Sequence, residues 1–291
     1  MGYRLFLPLL STLSLLHLGT LTAQRTQMEI VRMMPDSTSV SHPHDPDSID
    51  PSALLRIDSL AKEGVHMGAY PGCQIFVFYR GEVIINKAYG SLEPLSESQA
   101  EPVSTQSIYD LASITKAVAT TPALMLLVGE KKVNLDSPLL SYLPETKDTL
   151  LGMVTIRQLL LHQSGLPAGI NFYRDLIDDT SYEGSLIRYK AFDGAVPLVG
   201  KAWGNPNFRF LEQYISDKAT EEHSLHFGSK RYLSPTFKQR MMERLLTARI
   251  SADKSYRYSD LNFLLLQQVI ERITGKSLDQ FVEKNIYRPL R

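Results

Sequence analysis

The sequence has a single cysteine, Cys73, and no excess of charge of either sign. One cysteine excludes an intramolecular disulfide and any zinc or iron–sulfur site built from several cysteines. Lysine and arginine together number 31, as do aspartate and glutamate, so the basic excess typical of a nucleic-acid-binding protein is absent. There is no internal repeat and no low-complexity tract. With 291 residues, 43% of them hydrophobic, the chain is long enough to bury a core as one large or two small domains.

The first 23 residues predict a secretory signal peptide. Arg4 supplies one positive charge before the strongly apolar residues 5–21, and the chain turns polar after Ala23, where we predict cleavage. The alternative is an N-terminal membrane anchor, for which the apolar run is short and interrupted by proline and glycine. Export of a chain with one cysteine predicts a secreted or periplasmic protein of a bacterial envelope, without stable membrane insertion after cleavage.

Residues 24–50 predict a flexible linker, because they are rich in Pro, Asp and Ser and lack a hydrophobic period. His42 and His44 stand beside two aspartates, which are residue types that bind metals. The intervening Pro43 and the following Pro46 disfavour a preformed site, so we predict no metal here.

A helix and a hairpin are predicted next. Asp50 is a good N-cap, and the apolar spacing predicts a helix over residues 51–65. The β-branched and aromatic runs 73–79 and 83–89, joined by a short turn, predict a β-hairpin. Cys73 would then be a core residue of a strand and not a reactive thiol.

Beyond residue 110 the pattern is mainly helical. Helices are predicted from residue 111 with a kink at Pro122, over 155–161, from 234, over 260–274 with Gly275 as C-cap, and from 277. Residues 168–233 have weak periodicity and many Tyr, Phe, Gly and Asp residues.

Ser113 and Lys116 carry the strongest chemical signal. The i,i+3 spacing places both side chains on one face at the start of a predicted helix. A serine hydroxyl needs a base to become a nucleophile, and a lysine in a dry pocket can lose its proton and act as that base. The helix N-terminus would offer backbone N–H groups to a developing oxyanion.

Further motifs follow in order: Leu160–Leu166, which reads LLHQSGL, and Tyr256–Asp260, which reads YRYSD. With the hairpin and the Ser113–Lys116 motif before them, they closely resemble the penicillin-recognising serine hydrolases. The resemblance is to the β-lactamase-related group of class C β-lactamases, D-alanyl-D-alanine peptidases and carboxylesterases. It covers residue 52 to the end of the chain. It implies an α/β (α+β) domain over residues 51–291, with an antiparallel sheet flanked by helices and a helical subdomain.

The resemblance also implies roles. Ser113 would be the acylated nucleophile, Lys116 its proton acceptor or relay, and Tyr258 a proton shuttle to the leaving group. Asp260 stands where the family commonly has Asn and would be a substrate-binding residue within reach of Lys116. Its carboxylate would raise the pKa of Lys116 and shift the role of base towards Tyr258. Alternatively, Asp260 caps the following helix, and the two roles are compatible.

The family's third element, a His/Lys-x-Gly triplet on a late strand, has no match in this sequence. We therefore expect a chain truncated at its C-terminus, with sheet strands missing and one oxyanion donor lost. Loss of such a donor typically lowers the rate by about 10²–10³-fold.

Several neighbouring residues are read as structural. Ser164 lacks the preceding glycine and strand of a nucleophile elbow, and His162 is interpreted as a satisfied structural histidine. Tyr256 competes with Tyr258, but only Tyr258 has the family's offset to Asp260. The aromatic residues between the motifs form either a substrate lid or ordinary loop packing: Phe172, Tyr173, Trp203 and Phe208.

The sequence thus predicts an exported serine hydrolase that forms an acyl-enzyme on Ser113 with an amide or ester, such as a β-lactam, a D-Ala-D-Ala peptide or an ester. The alternative is a non-catalytic fragment or pseudoenzyme that binds cell-wall peptide or a partner chain. A non-enzymatic adhesin is disfavoured by the ordered motifs. We predict no metal or organic cofactor and a small-molecule or peptide substrate.

Overall fold

The computed structural model describes residues 50–92, 101–192, 194–197, 202–227 and 231–290. They fall into two compact units, an N-terminal unit of residues 50–110 and a C-terminal unit of residues 111–290. The predicted signal peptide and the linker with His42 and His44 lie outside the described residues, so both stay predictions. Within the described ranges, no helix has the length and apolar character needed to cross a membrane.

The N-terminal unit begins with helix α1, Pro51–His66. The Asp50 carboxylate accepts a hydrogen bond from the backbone N–H of Ser52 at 2.8 Å, and Pro51 fills the first helical position, as predicted. Helix α1 packs against the second strand of the hairpin, where the Asp58 carboxylate binds Lys87 at 2.8 Å. The helix therefore covers one face of the hairpin.

The predicted hairpin is present as strands β1, Gly72–Tyr79, and β2, Glu82–Gly90, paired antiparallel. Arg80 and Gly81 form its two-residue turn with φ of 49° and 90°, the positive values that match the twist of paired strands. Cys73 lies in β1 but is only half-buried, so its predicted place in the core is wrong. A sheet of only two strands buries few of its own side chains, and Phe76 and Phe78 on β1 are exposed.

The C-terminal unit contains five α-helices and eight two-residue strands among its described residues. The helices are α2 Thr121–Gly129, α3 Ile156–Leu160, α4 Thr236–Leu246, α5 Asp260–Thr274 and α6 Leu278–Val282. The strands are β3 Ile177–Asp178, β4 Ile187–Arg188, β5 Val196–Pro197, β6 Trp203–Gly204, β7 Arg209–Phe210, β8 Ile215–Ser216, β9 Leu225–His226 and β10 Tyr232–Leu233. They pair as β3-β7, β4-β6-β5 and β8-β10-β9. Short 3₁₀ and π segments complete the described part of the unit: Lys116–Thr120, Leu139–Ser141, Pro144–Thr146, Leu150–Met153, Phe172–Leu176, Glu283–Tyr287 and Arg288–Leu290.

Helix α5 is the centre of the core. Its residues Leu265, Leu266, Val269 and Ile270 are fully buried, and it packs against α3 and α6. It ends as predicted at Gly275, which has the left-handed φ of 64°. Its N-cap is Ser259, so the predicted capping by Asp260 is wrong.

The helix predicted from residue 111 begins later and irregularly. Ser113 lies in a turn, Ile114 and Thr115 are α-helical, Lys116–Thr120 is π-helical, and the longer α-helix α2 follows from Thr121. Helical residues run without a break from Ile114 through the π turn into α2, and Pro122 lies in the first turn of α2 directly after that π turn. Proline and π turns are both causes of helix bending, so the irregularity falls where the kink is predicted. Single π turns within helices often mark functional sites.

The aromatic residues of the region with weak periodicity are mostly packing. Phe172 is 1% exposed and belongs to the hydrophobic core, which favours packing over a lid at that position. Phe208 packs edge-on against Phe210 at 5.2 Å, and Trp203 lies within strand β6.

Candidate active site

Ser113 is presented by a tight turn in front of the π-helical segment. Ala112, directly before it, has the left-handed φ of 43°, which is rare for a residue with a Cβ and is concentrated at functional sites. The N–H groups of the three residues after Ser113 donate to the carbonyls of Leu111, Ala112 and Ser113 at 2.9, 3.1 and 3.1 Å. These three donors are therefore used within the turn, and the oxyanion site expected at this helix start stays a prediction.

Four predicted site residues come together within hydrogen-bond distance. Ser113 Oγ lies 2.7 Å from Tyr258 Oη and accepts a hydrogen bond from Lys116 Nζ at 3.0 Å. Lys116 Nζ also donates to Asp260 Oδ1 at 2.5 Å, and Tyr258 Oη donates to the same oxygen at 3.2 Å. The nucleophile candidate, the amine, the phenol and the carboxylate thus form one closed cluster.

The donors in this cluster have a single consistent order. Tyr258 Oη donates its only proton to Asp260, so it must accept from Ser113 Oγ. Ser113 Oγ in turn accepts from Lys116 Nζ. The hydroxyl proton of Ser113 therefore points at Tyr258 and not at Lys116.

Lys116 is buried except for 7% of its surface and is held as an ammonium. Burial lowers the pKa of Lys116, but the hydrogen bond and charge of Asp260, together with Tyr258, raise it above its ordinary value. The ammonium also lies 5.1 Å from the ring centre of Tyr258 and 5.7 Å from that of Phe263. The predicted effect of Asp260 on the pKa of Lys116 is thus in the expected direction.

Two chain segments hold Tyr258 and Asp260 in place, and we call them the histidine loop, residues 162–168, and the tyrosine segment, residues 257–260. The backbone N–H of Arg257 donates to the carbonyl of His162 at 2.9 Å, and that of Asp260 donates to the carbonyl of Ala168 at 3.0 Å. Ser259 Oγ donates to the carbonyl of Pro167 at 2.6 Å. The histidine loop therefore provides the surface on which the tyrosine segment lies.

His162 is a structural histidine, as predicted. Its ring is 9% exposed and stacks on Tyr258 with a centroid distance of 4.6 Å. Its Nδ1 lies 3.1 Å from the backbone nitrogen of Ser259 and from Asn262 Nδ2. Burial and the nearby Lys116 ammonium lower the pKa of His162, so the imidazole is neutral.

Ser164 is also structural. It is 1% exposed, donates to Asn262 Oδ1 at 2.6 Å and accepts from the backbone N–H of Leu166 at 3.1 Å. No contact joins it to the Ser113 cluster in the described part of the chain except through Asn262. Tyr256 is 68% exposed and touches only the edge of the His162 ring, so Tyr258 is the tyrosine at the site.

Asn262 and Phe263 are the residues at this site to which the sequence assigned no role. Asn262 is fully buried within an otherwise apolar stretch of α5. A buried amide in an apolar helix needs hydrogen-bond partners, and this pattern is the signal that could have identified it. Among the described residues there is no group of three His, Cys, Asp or Glu side chains arranged to hold a metal ion.

The sequence of this chain is similar to a family model and to named bacterial proteins. A family model described as "Beta-lactamase" matches residues 57–291. A protein of Escherichia coli strain K12 named "Putative D-alanyl-D-alanine carboxypeptidase" is 28% identical over 247 residues, which are 81% of this chain and 45% of that protein. A Bacillus subtilis strain 168 protein named "N-acetylmuramyl-L-alanine amidase" is 26% identical over 248 residues, covering 82% of this chain and 45% of its own. The chain thus spans just under half the length of these two relatives.

A solved class C β-lactamase has a similar fold, with a TM-score of 0.51 at 17% identity. The alignment covers 84% of this chain and 51% of that one. At this identity the likeness shows the fold alone, which agrees with the predicted α+β class.

Proposed function

The chain belongs to the β-lactamase family, as the sequence resemblance implied, and on this premise we propose that it is an exported serine hydrolase that forms an acyl-enzyme on Ser113. The observation that carries the proposal is the 2.7 Å contact between Ser113 Oγ and Tyr258 Oη beside a buried lysine. A serine hydroxyl within hydrogen-bond reach of a proton acceptor is the defining geometry of an activated nucleophile.

The order of donors favours Tyr258 as the immediate proton acceptor. When Ser113 Oγ forms a bond to the substrate carbonyl carbon, its proton passes to Tyr258 Oη. The proton already on Tyr258 passes to Asp260 Oδ1, which it faces at 3.2 Å. The reverse transfers then deliver a proton to the leaving nitrogen or oxygen as its bond to carbon breaks.

In this scheme Lys116 acts as a fixed cation and not as the initial base. Its ammonium donates to Ser113 Oγ at 3.0 Å and would stabilise the negative charge that develops on that oxygen. Asp260 keeps the ammonium protonated and accepts the relayed proton, which is a role we assign to it in addition to the predicted binding of substrate.

The proposed substrate is an amide or ester in or derived from the cell wall. The two curated relatives carry names for enzymes that cleave amide bonds of peptidoglycan. A β-lactam is also an amide and would acylate the same serine. The functional domain is proposed to be residues 51–291, secreted or periplasmic after removal of residues 1–23, and to need no cofactor.

A second candidate is a non-catalytic protein that binds cell-wall peptide. The protonated Lys116 favours it, because an ammonium cannot take the serine proton directly. It differs from the first candidate in one property, which is that Ser113 would not be acylated.

Hydrolysis of a substrate panel tests the proposal. The panel contains a chromogenic cephalosporin, a nitrophenyl ester and a peptide ending in D-Ala-D-Ala, with the wild-type chain compared with Ser113→Ala. Ser141→Ala is the matched control, because Ser141 is an exposed serine in a 3₁₀ segment of the same unit. We expect turnover of at least one substrate by the wild type and Ser141→Ala and none by Ser113→Ala. Equal rates for all three chains would contradict the proposal.

A further inference from the structure

The histidine loop and the tyrosine segment are joined by a buried chain of side-chain hydrogen bonds. Leu166 N–H donates to Ser164 Oγ, and Ser164 Oγ donates to Asn262 Oδ1. Asn262 Nδ2 meets His162 Nδ1 at 3.1 Å, where the backbone N–H of Ser259 also arrives. Asn262 and Ser259 are fully buried, so every one of these groups depends on its protein partners.

The backbone N–H of Ser259 fixes the tautomer of His162. A backbone N–H can only donate, so Nδ1 must be an unprotonated acceptor and the ring proton must be on Nε2. The amide of Asn262 is then fixed as well, because its NH₂ group and not its oxygen must face Nδ1. The hydrogen bonds of this series therefore all run in one direction. Leu166 N–H donates to Ser164, Ser164 donates to Asn262, and Asn262 donates to His162.

The hydrogen bond to His162 Nδ1 fixes the backbone of Ser259, which is the neighbour of both Tyr258 and Asp260. Ser259 lies between Tyr258 and Asp260, so the acceptor on His162 sets the position of the peptide that carries both side chains. The same imidazole stacks on the Tyr258 ring at 4.6 Å. His162 itself has the left-handed φ of 55°, a backbone strain that the loop maintains at this position.

We propose that His162 and Asn262 are positioning residues that hold Tyr258 Oη on Ser113 through the acceptor at His162 Nδ1. The inference rests on the proposed function, since it concerns the rate at which Ser113 is acylated. His162 touches no reacting atom and acts through the backbone of Ser259 and the ring of Tyr258.

Two variants at His162 separate the acceptor from the ring. In His162→Asn the side-chain oxygen can take the place of Nδ1, and asparagine is well tolerated at a positive φ. In His162→Ala both the ring and the acceptor are absent. Both variants lose the stacking contact with Tyr258. His162→Ala alone also loses the hydrogen-bond acceptor for Ser259 and places a less tolerant residue at the positive φ.

The rate of acylation is measured by intact mass against penicillin concentration, which gives a maximal labelling rate and a half-saturating concentration. We expect His162→Ala to lower the maximal rate by about 10–100-fold, the effect of a displacement of about 1 Å, and to leave the half-saturating concentration nearly unchanged. We expect His162→Asn to recover most of the lost rate. A purely structural role would lower the yield or stability of folded protein but not the maximal rate.

The outcomes distinguish this inference from the proposed function. A wild type that takes no label and hydrolyses no substrate of the panel overturns the proposed function and this role with it. A labelled wild type with His162→Ala equally fast, or with His162→Asn as slow as His162→Ala, overturns the positioning role alone. A second test uses only the wild-type protein and needs no variant to fold. Nitrogen-15 NMR of its histidines shows which ring nitrogen of His162 carries the proton. An unprotonated Nδ1 on His162 supports the inference, and a protonated Nδ1 overturns it.

Discussion

Gly165, in the histidine loop, is a position where one added methyl group should have a large effect. It has φ of 83°, and a Cβ built on it would lie 2.4 Å from the carbonyl oxygen of Ser251 and 3.1 Å from Lys254 Nζ. A carbon–oxygen distance below 3.0 Å cannot persist, so the backbone of the histidine loop must move in Gly165→Ala. That movement affects the hydrogen bond from the Ser251 N–H to the Gly165 carbonyl, at 2.9 Å, and the bond from Lys254 to the Ser164 carbonyl, at 2.7 Å.

The control is Gly275→Ala. Gly275 also has a positive φ, 64°, but a Cβ there would meet nothing within 4 Å. Both substitutions incur the cost of a left-handed L-residue, about 1–2 kcal/mol. Gly165→Ala additionally weakens one neutral and one charge-assisted hydrogen bond, which when intact together contribute about 2–4.5 kcal/mol.

Urea unfolding followed by the fluorescence of Trp203, the only tryptophan, measures the free energy of unfolding of both variants. We expect Gly165→Ala to lose about 1–3 kcal/mol more than Gly275→Ala. We also expect only Gly165→Ala to slow the labelling of Ser113, because its loop carries the tyrosine segment. Equal losses of stability in the two variants would refute the reasoning.

Three further predictions concern the site. Tyr258→Phe should slow acylation of Ser113 by about 10²–10⁴-fold, because it removes the proton acceptor, whereas Tyr256→Phe should have little effect on the same mass assay. Asp260→Asn removes the group that raises the pKa of Lys116 while the burial that lowers this pKa remains. In the proposed scheme Lys116 acts as an ammonium, and in Asp260→Asn this ammonium loses its proton at lower pH. The basic limb of the pH–rate profile should therefore move to lower pH, and an unchanged profile would show that the two groups are not coupled. Ser164→Ala leaves two buried partners unsatisfied and should lower the free energy of unfolding by about 1–3 kcal/mol in urea, with the label still attached to Ser113. A label found on Ser164 in the labelled wild-type chain would instead make Ser164 the nucleophile.

The elements with clear local signals could be predicted from the sequence. The hairpin was marked by two β-branched runs and a turn, and helix α5 by its apolar period and Gly275. The cluster of Ser113, Lys116, Tyr258 and Asp260 was predicted from motif order, and the structure brings all four side chains together. Their roles in catalysis stay predictions.

The rest depends on contacts between residues distant along the chain. The buried amide of Asn262 meets His162 across a separation of 100 residues, and no local pattern indicates which polar group will face it. The three N–H groups after Ser113 are used within its turn, which depends on the left-handed φ of Ala112. Alanine gives no sequence signal for that conformation, so the sequence could not indicate that these three donors are used within the turn.

The most direct test of the account is whether Ser113 becomes acylated. The chain starting at Gln24 is incubated with a penicillin and, separately, with a serine-reactive phosphonate, and its intact mass is compared with that of Ser113→Ala. The account predicts one adduct with each reagent on the wild-type chain and none on Ser113→Ala. A wild-type chain that takes no adduct, or an adduct that persists in Ser113→Ala, would contradict it.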